Sequence, residues 1–175
     1  DLVSLEPGSR PMSQDLSPTA LGFIHADRTH RKFGFFWAGF LDGIAASGRM
    51  VADEKDALVG EARALADITG DPDALDLAED LAANCFTDET AALAHVAELA
   101  ADRRRDLLGD GDPGPRDRID DMLGFCAGTV ADGVITQKEA QALLWRLSDH
   151  DLHAEAVFAP LREALGGALE DGRLD

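Results

Sequence analysis

An internal duplication constrains the fold of this sequence more than any other feature. Residues 39–58 align without a gap on residues 124–143, an offset of 85 positions, and eight of the twenty aligned pairs are identical. The identical pairs are Gly39/Gly124, Phe40/Phe125, Gly43/Gly128, Ala46/Ala131, Gly48/Gly133, Glu54/Glu139, Ala57/Ala142 and Leu58/Leu143. Self-similarity at a fixed interval is typical of repeated supersecondary units, so we expect two tandem copies of one motif.

The apolar residues around both copies recur every three or four positions, as they do along one face of a helix. No stretch alternates between apolar and polar residues, so we expect no sheet. The sequence therefore predicts an all-α fold of about seven or eight helices, in two tandem repeats related by a pseudo-twofold axis. The predicted helices span about 27–47, 53–69, 72–84, 88–105, 115–131, 136–148, 152–159 and 161–169. Pro160 either breaks the last pair or lies in the first turn of the later helix.

The prolines and glycines suggest how the chain is divided. Residues 1–26 hold three of the seven prolines and show no sustained period, which predicts an N-terminal arm or linker. Residues 27–175 form the predicted double-repeat domain, with repeat 1 at about 27–108 and repeat 2 at about 115–170. The stretch Asp-Gly-Asp-Pro-Gly-Pro at 110–115 is the linker that separates them.

Each first helix also carries a Gly-x-x-x-Gly motif, Gly39/Gly43 in repeat 1 and Gly124/Gly128 in repeat 2. In an exposed helix each glycine costs about 1 kcal/mol relative to alanine. Because that cost is present in both copies, we expect these glycines to allow close contact between the two first helices.

The charge balance restricts the partners of the chain. It has 34 acidic against 16 basic residues, a net charge of −18, which disfavours binding to nucleic acid and favours cations or a protein with a basic surface. The longest low-charge run is too short for a membrane span. Cys85 and Cys126 each stand alone in a helical pattern, and no signal peptide is evident, so we expect a cytoplasmic protein.

The segment 131–139, Ala-Asp-Gly-Val-Ile-Thr-Gln-Lys-Glu, offers the most specific candidate site. Asp132 lies in a turn and Glu139 in the first helical turn after it, so their carboxylates could share a hard cation such as calcium or magnesium. The structural alternative is equally concrete. Thr136-x-x-Glu139 is a capping box, in which the glutamate satisfies backbone donors at the start of the helix.

This segment resembles the TerB-like proteins, named after a tellurite-resistance protein and marked by the pattern Ala-Asp-Gly-x-Ile-x-x-x-Glu. The resemblance extends over roughly residues 30–170. It implies an all-helical double repeat in a stress response, with no established catalytic activity, whose acidic positions are associated with divalent metal binding and partner contacts. In repeat 1, Ser47 stands in place of the aspartate, whereas Gly48 and Glu54 persist. Glu54 and Asp42 are therefore weaker metal candidates.

A one-sided acidic segment offers a second candidate site. Between Arg63 and Arg103 the sequence has ten acidic residues and no lysine or arginine, and Asp73, Asp76 and Asp80 fall on one helical face. Such a run is usually a solvated surface. The alternative that we retain is a docking face for a basic partner.

A metal-dependent enzyme is the rival interpretation. It would use the carboxylates of Asp42, Glu54, Asp132 and Glu139, with His150 or His153, in a common concave pocket. The two histidines lack the spacing of a known zinc motif and fall at a predicted helix junction. The leading prediction is therefore a non-enzymatic acidic module that binds a protein partner, with a candidate divalent ion at the Asp-Gly turn.

Overall fold

The computed structural model describes residues 18–149, 152 and 155–170, with side chains from residue 28 onward. Its helices are α1 (Pro18–Ser47), α2 (Ala52–Thr69), α3 (Pro72–Ala82), α4 (Glu89–Leu108), α5 (Pro115–Thr129), α6 (Gln137–Leu147), a 3₁₀ turn (Ala156–Phe158) and α7 (Ala159–Glu170). None of the described residues belongs to a strand, so the predicted all-α class is confirmed. No helix in the described ranges is long and apolar enough to cross a membrane.

Local capping signals place several helix ends where the sequence predicts them. The Asp71 side chain accepts hydrogen bonds from the backbone of Asp73 and Ala74 at the start of α3, and Asp88 caps α4. Pro160 lies in the first turn of α7, as one of the two alternatives proposed. The start of α1 differs from the expectation, because the helix begins at Pro18 rather than near residue 27. Residues 1–17 of the expected arm lie outside the described part of the chain.

The first helix organises the packing, because α1 lies against both α4 and α5. One buried apolar cluster joins α1 to α2, α3 and α4 and includes Trp37, Leu58, Leu77 and Val96. A second cluster joins α5, α6 and α7 through residues such as Met122 and Leu143, and it also includes Phe158 of the 3₁₀ turn. Each predicted repeat therefore contributes most of one core.

The Gly-x-x-x-Gly motifs of α1 and α5 lie where the two helices cross. A Cβ atom added to any of the four glycines would overlap backbone atoms of the opposite helix. The pairs of glycine and opposing carbonyl are Gly39–Asp121, Gly43–Phe125, Gly124–Phe36 and Gly128–Phe40. The predicted close approach of these helices is confirmed, and glycine is required because backbone atoms, unlike side chains, cannot rotate away.

A second connection between α1 and α5 is ionic. The Arg31 guanidinium donates hydrogen bonds of 2.9 and 2.7 Å to the two carboxylate oxygens of Asp117, and one of 2.8 Å to the Leu107 carbonyl oxygen. Hydrogen bonding to Arg31 lowers the pKa of Asp117. Asp117 also accepts a 2.8 Å hydrogen bond from Gly114 N at the start of α5. Arg31 thus connects three helices at one end of the α1–α5 pair.

Candidate functional site

Two interhelix turns form the candidate site, one after α1 and one after α5. Gly48 and Gly133 lie in these turns with φ of 70° and 80°, a conformation that glycine adopts at little cost. Gly48 follows the last residue of α1 directly, whereas α5 ends at Thr129, earlier than expected, so Gly133 lies later in its turn. The Lys138 ammonium donates a 2.9 Å hydrogen bond to the Ser47 carbonyl oxygen. The start of α6, which follows the second turn, is therefore in direct contact with the end of α1, which precedes the first turn.

Glu139 forms the predicted capping box at the start of α6. Its Oε2 atom accepts hydrogen bonds of 2.7 Å from Thr136 N and 2.8 Å from Thr136 Oγ1. The side chain is only 1% exposed, yet its Oε1 atom has no hydrogen-bond partner among the described residues. A buried carboxylate oxygen without a partner costs free energy, so a further ligand at Oε1 would be favourable.

Glu54 occupies the equivalent position in the first turn. Its Oε2 atom accepts a 3.0 Å hydrogen bond from Val51 N, and the residue is also 1% exposed. Burial raises the pKa of Glu54, hydrogen bonds from Val51 and Ser47 oppose that rise, and the charges of Asp132 and Glu139 add to it. Carboxylates from both turns are therefore close enough to repel one another.

Asp132 is the most accessible of these three acids. It is partly exposed, and its Oδ1 atom accepts a 2.9 Å hydrogen bond from Val134 N, which closes the Asp-Gly turn. In the described ranges, no group of three or more acidic, histidine or cysteine side chains is arranged to hold a metal ion. The turns bring Glu54, Asp132 and Glu139 near one another, but a shared ion would require side-chain movement.

The raised pKa of Glu54 leads to a prediction about pH. An acid whose pKa is higher in the folded state binds more protons there, so stability falls as pH rises through that pKa. Glu54→Gln keeps an oxygen for Val51 N and removes the charge, so the variant should melt at a higher temperature than the parent at pH 7. The difference should shrink as pH falls to about 4, the usual range for a glutamate. Thermal melts from pH 4 to 7 test this, with the exposed Asp56→Asn as control. A constant difference across pH would contradict it.

Asp42 belongs to a different group of charges. Its carboxylate lies 2.6 Å from the Arg104 guanidinium and 3.1 Å from that of Arg146, and both arginines also bind Asp121. Burial lowers the pKa of Arg104, but the charges of Asp121 and Asp42 outweigh burial and raise it. We call these four residues the ionic cluster. Sequence reasoning missed it, because its four members lie on four different helices, α1, α4, α5 and α6, that are distant in the sequence.

The acidic face of α3 is exposed as the pattern suggests. Asp73, Asp76 and Asp80 are exposed, whereas the opposite face of α3 is buried through residues such as Leu77 and Leu81. Asp73 is 61% exposed and lies 3.9 Å from the Arg103 guanidinium, which also binds Asp71. The three acids therefore point away from the core.

One surface cavity has a volume of about 570 Å³ and lies between the start of α5 and the end of α6. Trp145 lines it and is 80% exposed, whereas Trp37 is 1% exposed in the core. Another cavity, of about 240 Å³, is lined by residues of α2, α3 and α4 and by the loop between α3 and α4. His150 and His153 lie outside the described residues.

No protein-family model, no curated protein and no solved structure matches the chain. Its function must therefore be inferred from the arrangement of its own residues. The carboxylates around the two turns, the acidic face of α3 and the Trp145 cavity are the three arrangements that we consider.

Proposed function

We propose that this chain is a non-enzymatic TerB-like helical module that binds a basic partner protein in a cytoplasmic stress response. The observation that carries this proposal is the exposed acidic face of α3. Asp73, Asp76 and Asp80 are spaced three and four positions apart, and like charges at these spacings destabilise a helix by about 0.2–0.5 kcal/mol per pair. The buried face of α3 already holds the helix in place. Because the three acids do not stabilise the helix, binding a basic partner is the role that explains them better.

The arrangement of glycines supports the double-repeat part of the proposal. The carbonyls opposite Gly39 and Gly43 belong to Asp121 and Phe125, and those opposite Gly124 and Gly128 belong to Phe36 and Phe40. Each pair is converted into its counterpart by the same offset of 85 positions that relates the sequence repeats. Reciprocal contacts of this kind are what a pseudo-twofold axis between α1 and α5 would produce.

A matched pair of triple variants tests the docking face. Changing Asp73, Asp76 and Asp80 to Asn should weaken binding of a labelled decalysine peptide about five- to tenfold, because each exposed charge pair contributes up to about 1 kcal/mol. The control changes three exposed acids of α2, Asp53, Asp56 and Asp67, to Asn. Both variants lose three negative charges, so equal weakening in fluorescence anisotropy would show that net charge, and not the α3 face, attracts the peptide.

A specific observation favours a second function, the binding of a divalent ion between the two turns. Glu139 Oε1 is buried without a partner among the described residues, and the charges of Asp132 and Glu139 both raise the pKa of Glu54. Calcium or magnesium would neutralise this repulsion and supply the missing partner, with backbone carbonyls or water completing its oxygen ligands. Asp42 is not part of this proposed site, because two guanidiniums already bind its carboxylate.

Metal binding predicts a ligand-dependent stability. An ion bound only by the folded state should raise the melting temperature, and Asp132→Asn should abolish that rise while leaving the metal-free protein nearly as stable. If Glu139 is only a capping residue, Glu139→Ala should cost about 0.5–2 kcal/mol with or without metal. Calorimetric titration with calcium and magnesium that shows no saturable binding at millimolar concentration would contradict the metal site.

The positions of the turn carboxylates favour binding over catalysis. Glu54 and Glu139 are buried at helix starts, and neither lines either of the two cavities described above. An enzyme would need several of these acids to converge on a pocket that admits substrate. This arrangement supports the binding module over the rival metal-dependent enzyme.

A further inference from the structure

We infer that the Trp145 cavity receives an arginine or lysine side chain of the partner protein, with the indole of Trp145 as the surface on which the cation lies. This inference deepens the proposed function, on which it rests, by adding an anchor site to the acidic face of α3. It depends on three features of the cavity: an exposed aromatic face, an unneutralised carboxylate and the carboxyl end of a helix.

Trp145 is the first of these features. At 80% exposure it is the most exposed of the large apolar side chains of the described protein, so it contributes little to the core. It lines a cavity of about 570 Å³, which is large enough for a long side chain and part of its backbone. The face of an indole ring attracts cations more strongly than any other aromatic side chain does.

The charges that line the cavity favour a cation. Among the described residues, three carboxylates and two guanidiniums line it, and four of these five groups have partners. The Arg146 guanidinium binds Asp42 and Asp121 and lies 4.4 Å from the centre of the Phe125 ring. Arg118 and Asp149 each interact with another group as well, so neither is without a partner. Asp112 is the remaining group, and its carboxylate makes no hydrogen bond or ion pair within the described ranges.

The carboxyl end of α6 adds to this preference. The helix ends at Leu147, and Ser148 and Asp149 of its C-terminal end line the cavity. The end of a helix carries a partial negative charge, which stabilises a cation nearby. An anionic ligand would be repelled by this end of the helix, by the Asp112 carboxylate and by the net charge of −18 on the protein. A cationic side chain is therefore the occupant that complements the cavity.

The test uses a fluorescein-labelled hexapeptide of alternating arginine and glycine, and an identical peptide with neutral citrulline in place of arginine. Binding is measured by anisotropy at about 150 mM salt, which screens long-range attraction. Trp145→Leu keeps an apolar side chain without the aromatic face and should weaken arginine-peptide binding about three- to thirtyfold. Asp112→Asn should weaken it about two- to fivefold. Ile68→Ala, at an exposed apolar position of α2, should leave binding unchanged.

The outcomes separate this inference from the proposed function. If Trp145→Leu binds the arginine peptide as tightly as the parent does, whereas the α3 triple variant binds it more weakly, the cavity is not the anchor site and the acidic face remains supported. The reverse result supports the cavity and overturns the α3 assignment. A citrulline peptide that binds as tightly as the arginine peptide shows that the occupant is not cationic, which overturns the inference. Analytical sedimentation provides a further check. If the parent is a dimer and Trp145→Leu is a monomer, the inference is overturned, because a second copy of the chain then covers the cavity.

Discussion

Gly43→Leu is expected to destabilise the protein by about 3 kcal/mol, the upper end of the usual range for overpacking. A Cβ atom at Gly43 would lie against Phe125 O, Thr129 N and the Cα of Gly128, all of them backbone atoms of α5. Because no rotamer change can relieve this overlap, α1 and α5 must separate and expose part of both cores. For a chain of this length the melting temperature should fall by roughly 6–12 °C.

Gly60→Ala provides the control within the same fold. Gly60 lies in α2, and a Cβ atom there would meet nothing within 4 Å. Alanine lowers the entropy of the unfolded chain and favours the helix, so this variant should be more stable by about 0.5–1 kcal/mol. If Gly43→Leu melted at the parental temperature, the close crossing of α1 and α5 would be wrong.

Asp121→Asn is expected to destabilise the protein by about 2–3 kcal/mol. Asp121 binds both Arg104 and Arg146, and the side chains of the ionic cluster are 16–24% exposed. Removing one partner of a fully buried pair costs about 3–5 kcal/mol, because an uncompensated charge remains. Partial exposure lets water compensate for some of this loss. Chemical denaturation of parent and variant measures the difference in unfolding free energy.

Two further variants make this prediction specific. Asp102→Asn removes the carboxylate of an exposed pair with Arg105, in which the side chains are 49% and 71% exposed, and should change stability by less than about 0.5 kcal/mol. Asp42→Asn should destabilise the metal-free protein and leave any response to calcium or magnesium unchanged. Equal effects of Asp121→Asn and Asp102→Asn would mean that the cluster contributes no more than a surface pair.

Patterns among residues that are close in the sequence were sufficient to predict much of the local structure. Asp71-Pro72 predicts the start of α3, and Thr136 with Glu139 predicts the capping box of α6, because a cap involves atoms only a few residues apart. The start of α1 at Pro18 departed from the expectation, although proline is common at the first position of a helix. The scattered Pro, Ser and Gly before residue 27 suggested an arm instead.

The sequence by itself determined the helical class, the glycines at the α1–α5 crossing and the capping box of Glu139 at the start of α6. Periodicity and capping depend on local spacing, which the sequence states directly. Only the tertiary structure decided that Asp42 pairs with Arg146, which is 104 positions away, and that Glu54 lies near Asp132 and Glu139. A helical pattern shows which residues share a face, but the crossing of distant helices determines which charges on those faces meet.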